Sequence, residues 1–144
     1  AVASVVRSSA PKADRSWIAA DNSLVLTGYV KTGKVIETAF TKFTSAFAPT
    51  WTLRAPSLGT SAVLSAGTTT YGAFSSNSAV TGVSGWRPTA PSLLLLALDA
   101  KGVIASAYGS SEISEPISLA YSKDLGLIGL ARTTQQTLTL FKLS

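Results

Sequence analysis

The chain contains no cysteine, no histidine and no methionine. Without cysteine there is no disulfide framework, no thiolate metal site and no cysteine nucleophile. Without histidine the commonest metal ligand and the commonest general base are both missing. We therefore expect a protein that is not an enzyme and that needs neither a cofactor nor a metal ion.

Charged residues are also scarce. They make up 13% of the 144 residues, which is about half the usual share for a globular protein. The apolar share of 46% is large enough for a buried core, so a disordered chain is not expected. A surface that is neutral and rich in hydroxyl groups suits a protein that packs against copies of itself or is exposed on a cell surface.

The net charge of +5 does not by itself indicate a nucleic-acid partner. The basic residues are scattered singly from Arg7 to Lys142, whereas a site that follows phosphates concentrates them on one element. The longest apolar run, Leu93–Leu98, is too short to cross a bilayer. Neither a nucleic-acid partner nor a membrane span is expected.

The missing methionine and the opening AVASVV fit a chain that follows signal-peptidase cleavage. The low content of asparagine and glutamine also suits a harsh setting outside the cell. We therefore expect an extracellular or cell-surface location, reached after removal of an N-terminal signal.

The segment Ser92–Gly109 is the centre of the predicted fold. Its apolar run Leu93–Leu98 is bounded by Pro91 and by a polar turn at Asp99–Gly102. A run of this length with such boundaries predicts a strand that is buried on both faces. The turn returns the chain as Val103–Tyr108, so we expect an antiparallel hairpin with further layers above and below it.

The rest of the chain also reads as strands. Pro116 interrupts the only helical candidate, Ser110–Lys123. We predict an all-β fold of antiparallel sheets, with an N-terminal strand in residues 1–10 and a single domain in residues 11–144. The other predicted strands are Arg15–Ala20, Ser23–Val30, Glu37–Thr44, Thr50–Arg54, Ser61–Thr70, Pro116–Ser122, Leu125–Arg132 and Thr137–Leu143.

Several strands share a pattern of apolar pairs followed by small residues, and the pattern recurs at intervals typical of blade repeats. The residues that carry it best are Ala66–Thr68, Leu94–Asp99, Lys101–Gly102 and Tyr108–Gly109. The chain in this respect resembles the blades of β-propellers in secreted bacterial and archaeal proteins. That resemblance implies about three blade-like units. The alternative arrangement is a β-sandwich completed by strand exchange.

The N-terminal segment Ala1–Arg7 alternates as a strand does, and Val2, Val5 and Val6 are its candidate assembly residues. Such a strand can complete an incomplete sheet in a neighbouring copy, or it can be an ordinary edge strand of its own domain. The first alternative predicts an extracellular structural protein that self-assembles by strand pairing into a pilus-like filament or a surface layer. The other expected function is a lectin-like or scaffold-like binding module, a half-propeller completed by dimerisation.

The longest segment predicted to be irregular is Tyr71–Thr89, and loops of such length are often functional. Tyr71, Phe74 and Trp86 are candidate contact residues there, with carbohydrate as the candidate ligand, although each can equally anchor the loop. Glu112 and Glu115 form the best local pair for a cation, but the acid density of a calcium loop is missing. No metal site is predicted.

Overall fold

Every regular element in the described part of the chain is a β-strand. The structure, a computed structural model, describes residues 13–19, 22–58 and 61–143, and within them eleven strands form three antiparallel sheets. The all-β, antiparallel prediction is therefore confirmed. The predicted strand Ala1–Arg7, and with it the whole segment 1–10, lies outside the described residues.

The first sheet is a meander in which each strand pairs with the next one along the chain. In its last three strands, residues that face the second sheet alternate with residues on the opposite face. The second and third strands of this sheet pair without a β-bulge or other register shift. The strands are β1 (Ala13–Ile18), β2 (Leu24–Thr32), β3 (Val35–Phe43) and β4 (Pro49–Pro56).

The second sheet repeats this order with four more strands. It contains the central hairpin that the sequence predicts. The Asp99 carboxylate closes the turn of that hairpin by accepting hydrogen bonds from the backbone N–H groups of Lys101 and Val103, at 2.8 and 3.0 Å. The strands are β5 (Ser61–Ala66), β6 (Thr69–Ser76), β7 (Ser92–Leu98) and β8 (Ile104–Ser110).

Two predicted boundaries in this sheet are wrong. The segment 61–70 is not one strand, because the chain reverses at Gly67, where φ is +62°. Glycine adopts this left-handed conformation without the penalty that a Cβ brings. The irregular segment predicted from residue 71 consequently starts later, since β6 continues through Ser76 and the connection to β7 comprises residues 77–91.

The third sheet has three strands in the described part of the chain, ordered β11-β10-β9. The strand β9 occupies the segment in which Pro116 argued against a helix, and the register shifts where that proline lies opposite Ala131. This placement fits a residue that cannot donate to a ladder. The strands are β9 (Ile113–Ser122), β10 (Gly126–Thr133) and β11 (Leu138–Leu143).

The second sheet is the middle layer of the described structure. One apolar cluster lies between it and the first sheet, and it includes Phe40 and Phe74, whose ring centroids are 6.0 Å apart. Another cluster lies between the second and third sheets and includes Leu95 and Leu119. Every residue of β7 is buried. The prediction of a strand covered on both faces is therefore confirmed.

The three sheets follow one another in chain order and touch through their first strands. The strand β5 contacts β1 on one side and β9 on the other. The described residues thus form three layers in place of the two layers of a β-sandwich. They do not close into a ring, because the third sheet has its own outer face.

Candidate assembly surface

The strand β11 forms an edge of the third sheet. It pairs with β10 from Leu138 opposite Arg132 to Leu143 opposite Leu127. Within the described residues no strand pairs with its other side. The first two sheets have a fourth strand at the corresponding place. A row of backbone N–H and C=O groups at such an edge is a template for another strand.

The outer face of the third sheet is apolar at its centre. Along β11 the side chains alternate: Phe141 and Leu143 pack against the second cluster, whereas Leu138 and Leu140 are 64% and 72% exposed. Leu140 lies opposite Leu130, and Ile128 and Leu130 are half-buried on the neighbouring strand. We call the set Ile128, Leu130, Leu138 and Leu140 the outer leucine face.

Charged side chains lie at both ends of the outer leucine face. Arg132, opposite Leu138, places its Nε 3.1 Å from Oε1 of Glu115. Lys142 lies opposite Ile128 at the other end and is exposed. An exposed apolar patch with a polar rim is typical of a protein interaction surface.

The outer leucine face was not among the residues predicted for assembly. Those residues, Val2, Val5 and Val6, lie outside the described residues, and their role stays a prediction. The signal for the outer face was present in the sequence as the alternation Thr-Leu-Thr-Leu at residues 137–140. That alternation predicts a strand, but it does not tell which of its two sets of side chains faces the core.

Two of the three candidate loop contacts do not lie in the loop. Phe74 belongs to β6 and is fully buried in the first cluster, because it faces the first sheet. Tyr71 belongs to the same strand and is half-buried against the second cluster. The physical reason is the early reversal at Gly67, which moves both aromatic residues into a paired strand.

Trp86 does lie in the loop, where it acts as an anchor. Its indole N–H donates a hydrogen bond of 3.0 Å to Oγ of Ser76. Its ring lies so close to the backbone of Gly109 that a Cβ on that residue would overlap it. Trp51 of β4 is half-buried against the first cluster.

The acidic pair considered for a cation is not arranged as a metal site. Glu115 is paired with Arg132, and Glu112 is exposed at the turn before β9. In residues 13–19, 22–58 and 61–143 no three acidic side chains come together in a way that could hold a metal ion. The same ranges contain no helix with the length and apolar character needed to span a membrane.

No protein-family model, no curated protein and no solved structure matches this chain. The resemblance to propeller blades therefore stays a prediction.

Proposed function

We propose that this chain is a non-catalytic structural protein that acts by assembling with copies of itself through its third sheet. The observation that carries the proposal is the side of β11 with which no strand of the described residues pairs, beside an exposed apolar face. We also propose, as expected from the sequence, that the protein is extracellular and that the assembly is a filament or a surface layer. The low content of charged residues supports this, because a surface with few charges packs readily against copies of itself.

The proposed contact has two components. A strand from a neighbouring copy pairs with the backbone edge of β11, and the sequence offers Ala1–Arg7 as that strand. Apolar groups of the neighbour cover Leu138 and Leu140. Burying an exposed leucine side chain completely contributes about 1.5 to 3 kcal/mol before ordering costs, so two leucines are enough to influence assembly.

The experiment measures the molar mass by light scattering after size exclusion, over a range of protein concentrations. The unmodified chain should form species of two or more copies. Leu140→Lys should reduce them to a single 14.8 kDa species, because a charged side chain on this face resists burial. The matched control is Leu125→Lys, since Leu125 is 51% exposed in the turn before β10 and lies off the outer leucine face.

Deleting Ala1–Ala10 separates the two components. Loss of the oligomer with retention of the β-sheet circular dichroism would support strand donation, and the added peptide should then raise the melting temperature. A monomer at every concentration for the unmodified chain would overturn the proposal, as would Leu140→Lys and Leu125→Lys behaving alike.

The second candidate is a binding module in which two incomplete propellers join as a dimer. The observation that favours it is the succession of three meanders that touch through β1, β5 and β9, as the inner strands of blades do. The same molar-mass measurement separates the two functions. A dimeric module stops at two copies, whereas a filament or layer continues to grow as the concentration rises.

A further inference from the structure

The connection between β6 and β7 is longer than its position requires. These two strands are adjacent and antiparallel, yet residues 77–91 lie between them. The preceding hairpin in the same sheet turns with Gly67 and Thr68 alone. A long connection between neighbouring strands is a common location for a binding site.

This connection is held in place at several points, so its surface is preformed. Val80 is buried in the first cluster, and Val83 packs against that cluster. Trp86 is fixed by the hydrogen bond to Ser76 and by its contact with Gly109. A site on a fixed segment binds without a large cost of ordering.

Two open surface depressions of about 510 and 500 Å³ lie along this connection, and Arg87 lines both of them. Their size is within the range of small-ligand sites. We call the second one the loop groove. Its polar and aromatic lining includes Trp86, Arg87, Thr89, Ser92 and Ser111.

Arg87 differs from the other arginines whose side chains are described. Arg54 lies 3.9 Å from a carboxylate oxygen of Glu37, and Arg132 lies 3.1 Å from one of Glu115. The Arg87 guanidinium instead donates a hydrogen bond of 2.9 Å to the carbonyl oxygen of Trp86. Within the described residues no carboxylate forms an ion pair with it. Most of its donors therefore face solvent or a ligand.

We propose that the loop groove binds a saccharide that carries carboxylate groups. Arg87 supplies a fork of N–H donors that matches a carboxylate in two parallel hydrogen bonds. The exposed hydroxyl groups of Thr89 and Ser111 can both donate and accept, as sugar hydroxyls require. Trp86 offers an aromatic surface beside them. The groove is open to solvent rather than a closed pocket, and this favours a saccharide over a peptide side chain that needs enclosure.

The loop groove is lined by the β6–β7 connection, by residues of the second sheet and by Ser111 in the turn before β9. None of its lining residues belongs to the outer leucine face of the third sheet.

The test is titration calorimetry of the full chain with an oligogalacturonide, a uronic-acid oligomer. Binding should weaken as the sodium chloride concentration rises. Arg87→Gln should lower the affinity about tenfold or more, because a hydrogen-bonded charge pair is lost. Arg54→Gln is the matched control, since it removes one positive charge on another sheet, and it should leave the affinity unchanged. An uncharged malto-oligosaccharide should not bind.

Four results would overturn the proposal. The first is no binding of the oligogalacturonide, and the second is equal affinity in Arg87→Gln and the unmodified chain. The third is an acidic peptide that binds as tightly as the oligogalacturonide, which would make the groove a peptide site. The fourth is complete competition by inorganic phosphate at equal concentration, which would make Arg87 a simple anion site.

Discussion

The second and third sheets share one topology, the antiparallel meander, and differ in how many of their faces are covered. In the second sheet, β7 is buried along its whole length between two apolar clusters. In the third sheet, β11 buries Phe141 and Leu143 against one cluster and exposes Leu138 and Leu140 on the other side. Within the described residues, the second sheet is thus covered on both faces and the third sheet on one face only.

Their sequences reflect this difference. The strand β7 reads Ser-Leu-Leu-Leu-Leu-Ala-Leu, an apolar run without alternation, which is the pattern of a strand with protein on both sides. The strand β11 alternates, yet leucine occupies its exposed positions as well. An alternating strand that carries leucine on its outward face differs from an ordinary solvated sheet. The outer face of the third sheet therefore has the apolar character of a face that packs against another layer, although no layer of the described residues covers it.

The strongest test of this contrast places the same charge in both sheets. Leu96→Asp should prevent folding, because Leu96 is fully buried in β7 and an unpaired carboxylate there costs several kcal/mol, comparable to the total stability of a domain. Leu140→Asp should fold, and at a protein concentration too low for assembly its melting temperature should be close to that of the unmodified chain. Thermal unfolding followed by circular dichroism measures both. Equal losses in the two variants would show that the outer leucine face is part of the core.

A smaller effect is expected where the first sheet covers the central hairpin. Gly102 has a φ of +79°, and a Cβ on it would lie 2.6 Å from ring atoms of Trp51. Gly33 has a φ of +63° with no atom within 4 Å of the same position. Gly33→Ala should cost about 1 to 2 kcal/mol from the backbone conformation alone. Gly102→Ala should cost about 1 to 3 kcal/mol more, because Trp51 must move.

Urea unfolding at equilibrium measures the two free energies. Equal costs at Gly102 and Gly33 would mean that Trp51 moves away freely and that the hairpin turn is not held by the first sheet.

The sequence predicts the second sheet better than the surface of the third, for a physical reason. The run at Leu93–Leu98 and the turn at Asp99 are local signals, and each has one structural outcome. The reversal at Gly67 has a weaker signal, because the threonines that follow it at 68–70 favour a continuous strand. The misplacement of Phe74 in a loop follows from that one missed turn.

The location of the outer leucine face could not be predicted, because which face of a strand meets the core depends on the register and stacking of distant strands. The candidate role of Arg87 could not be predicted either. The sequence shows that it is basic, but only the structure shows that Arg54 and Arg132 pair with carboxylates and that, among the described residues, Arg87 does not.

The smallest expected effect concerns the ion pair at the end of the outer leucine face. The side chains of Arg132 and Glu115 are 37% and 38% exposed, so their mutual coupling should be below about 1 kcal/mol and should weaken in salt. A double-mutant cycle with Arg132→Gln and Glu115→Gln, unfolded in urea at low protein concentration, measures the coupling directly.

The same cycle at high protein concentration extends the comparison of the two sheets. If a neighbouring copy covers the outer leucine face, the pair loses contact with solvent, and its coupling should become stronger and less sensitive to salt. A coupling that stays the same at both concentrations would mean that solvent continues to reach the pair. The third sheet would then remain open in the assembled protein, and its edge rather than its face would form the contact.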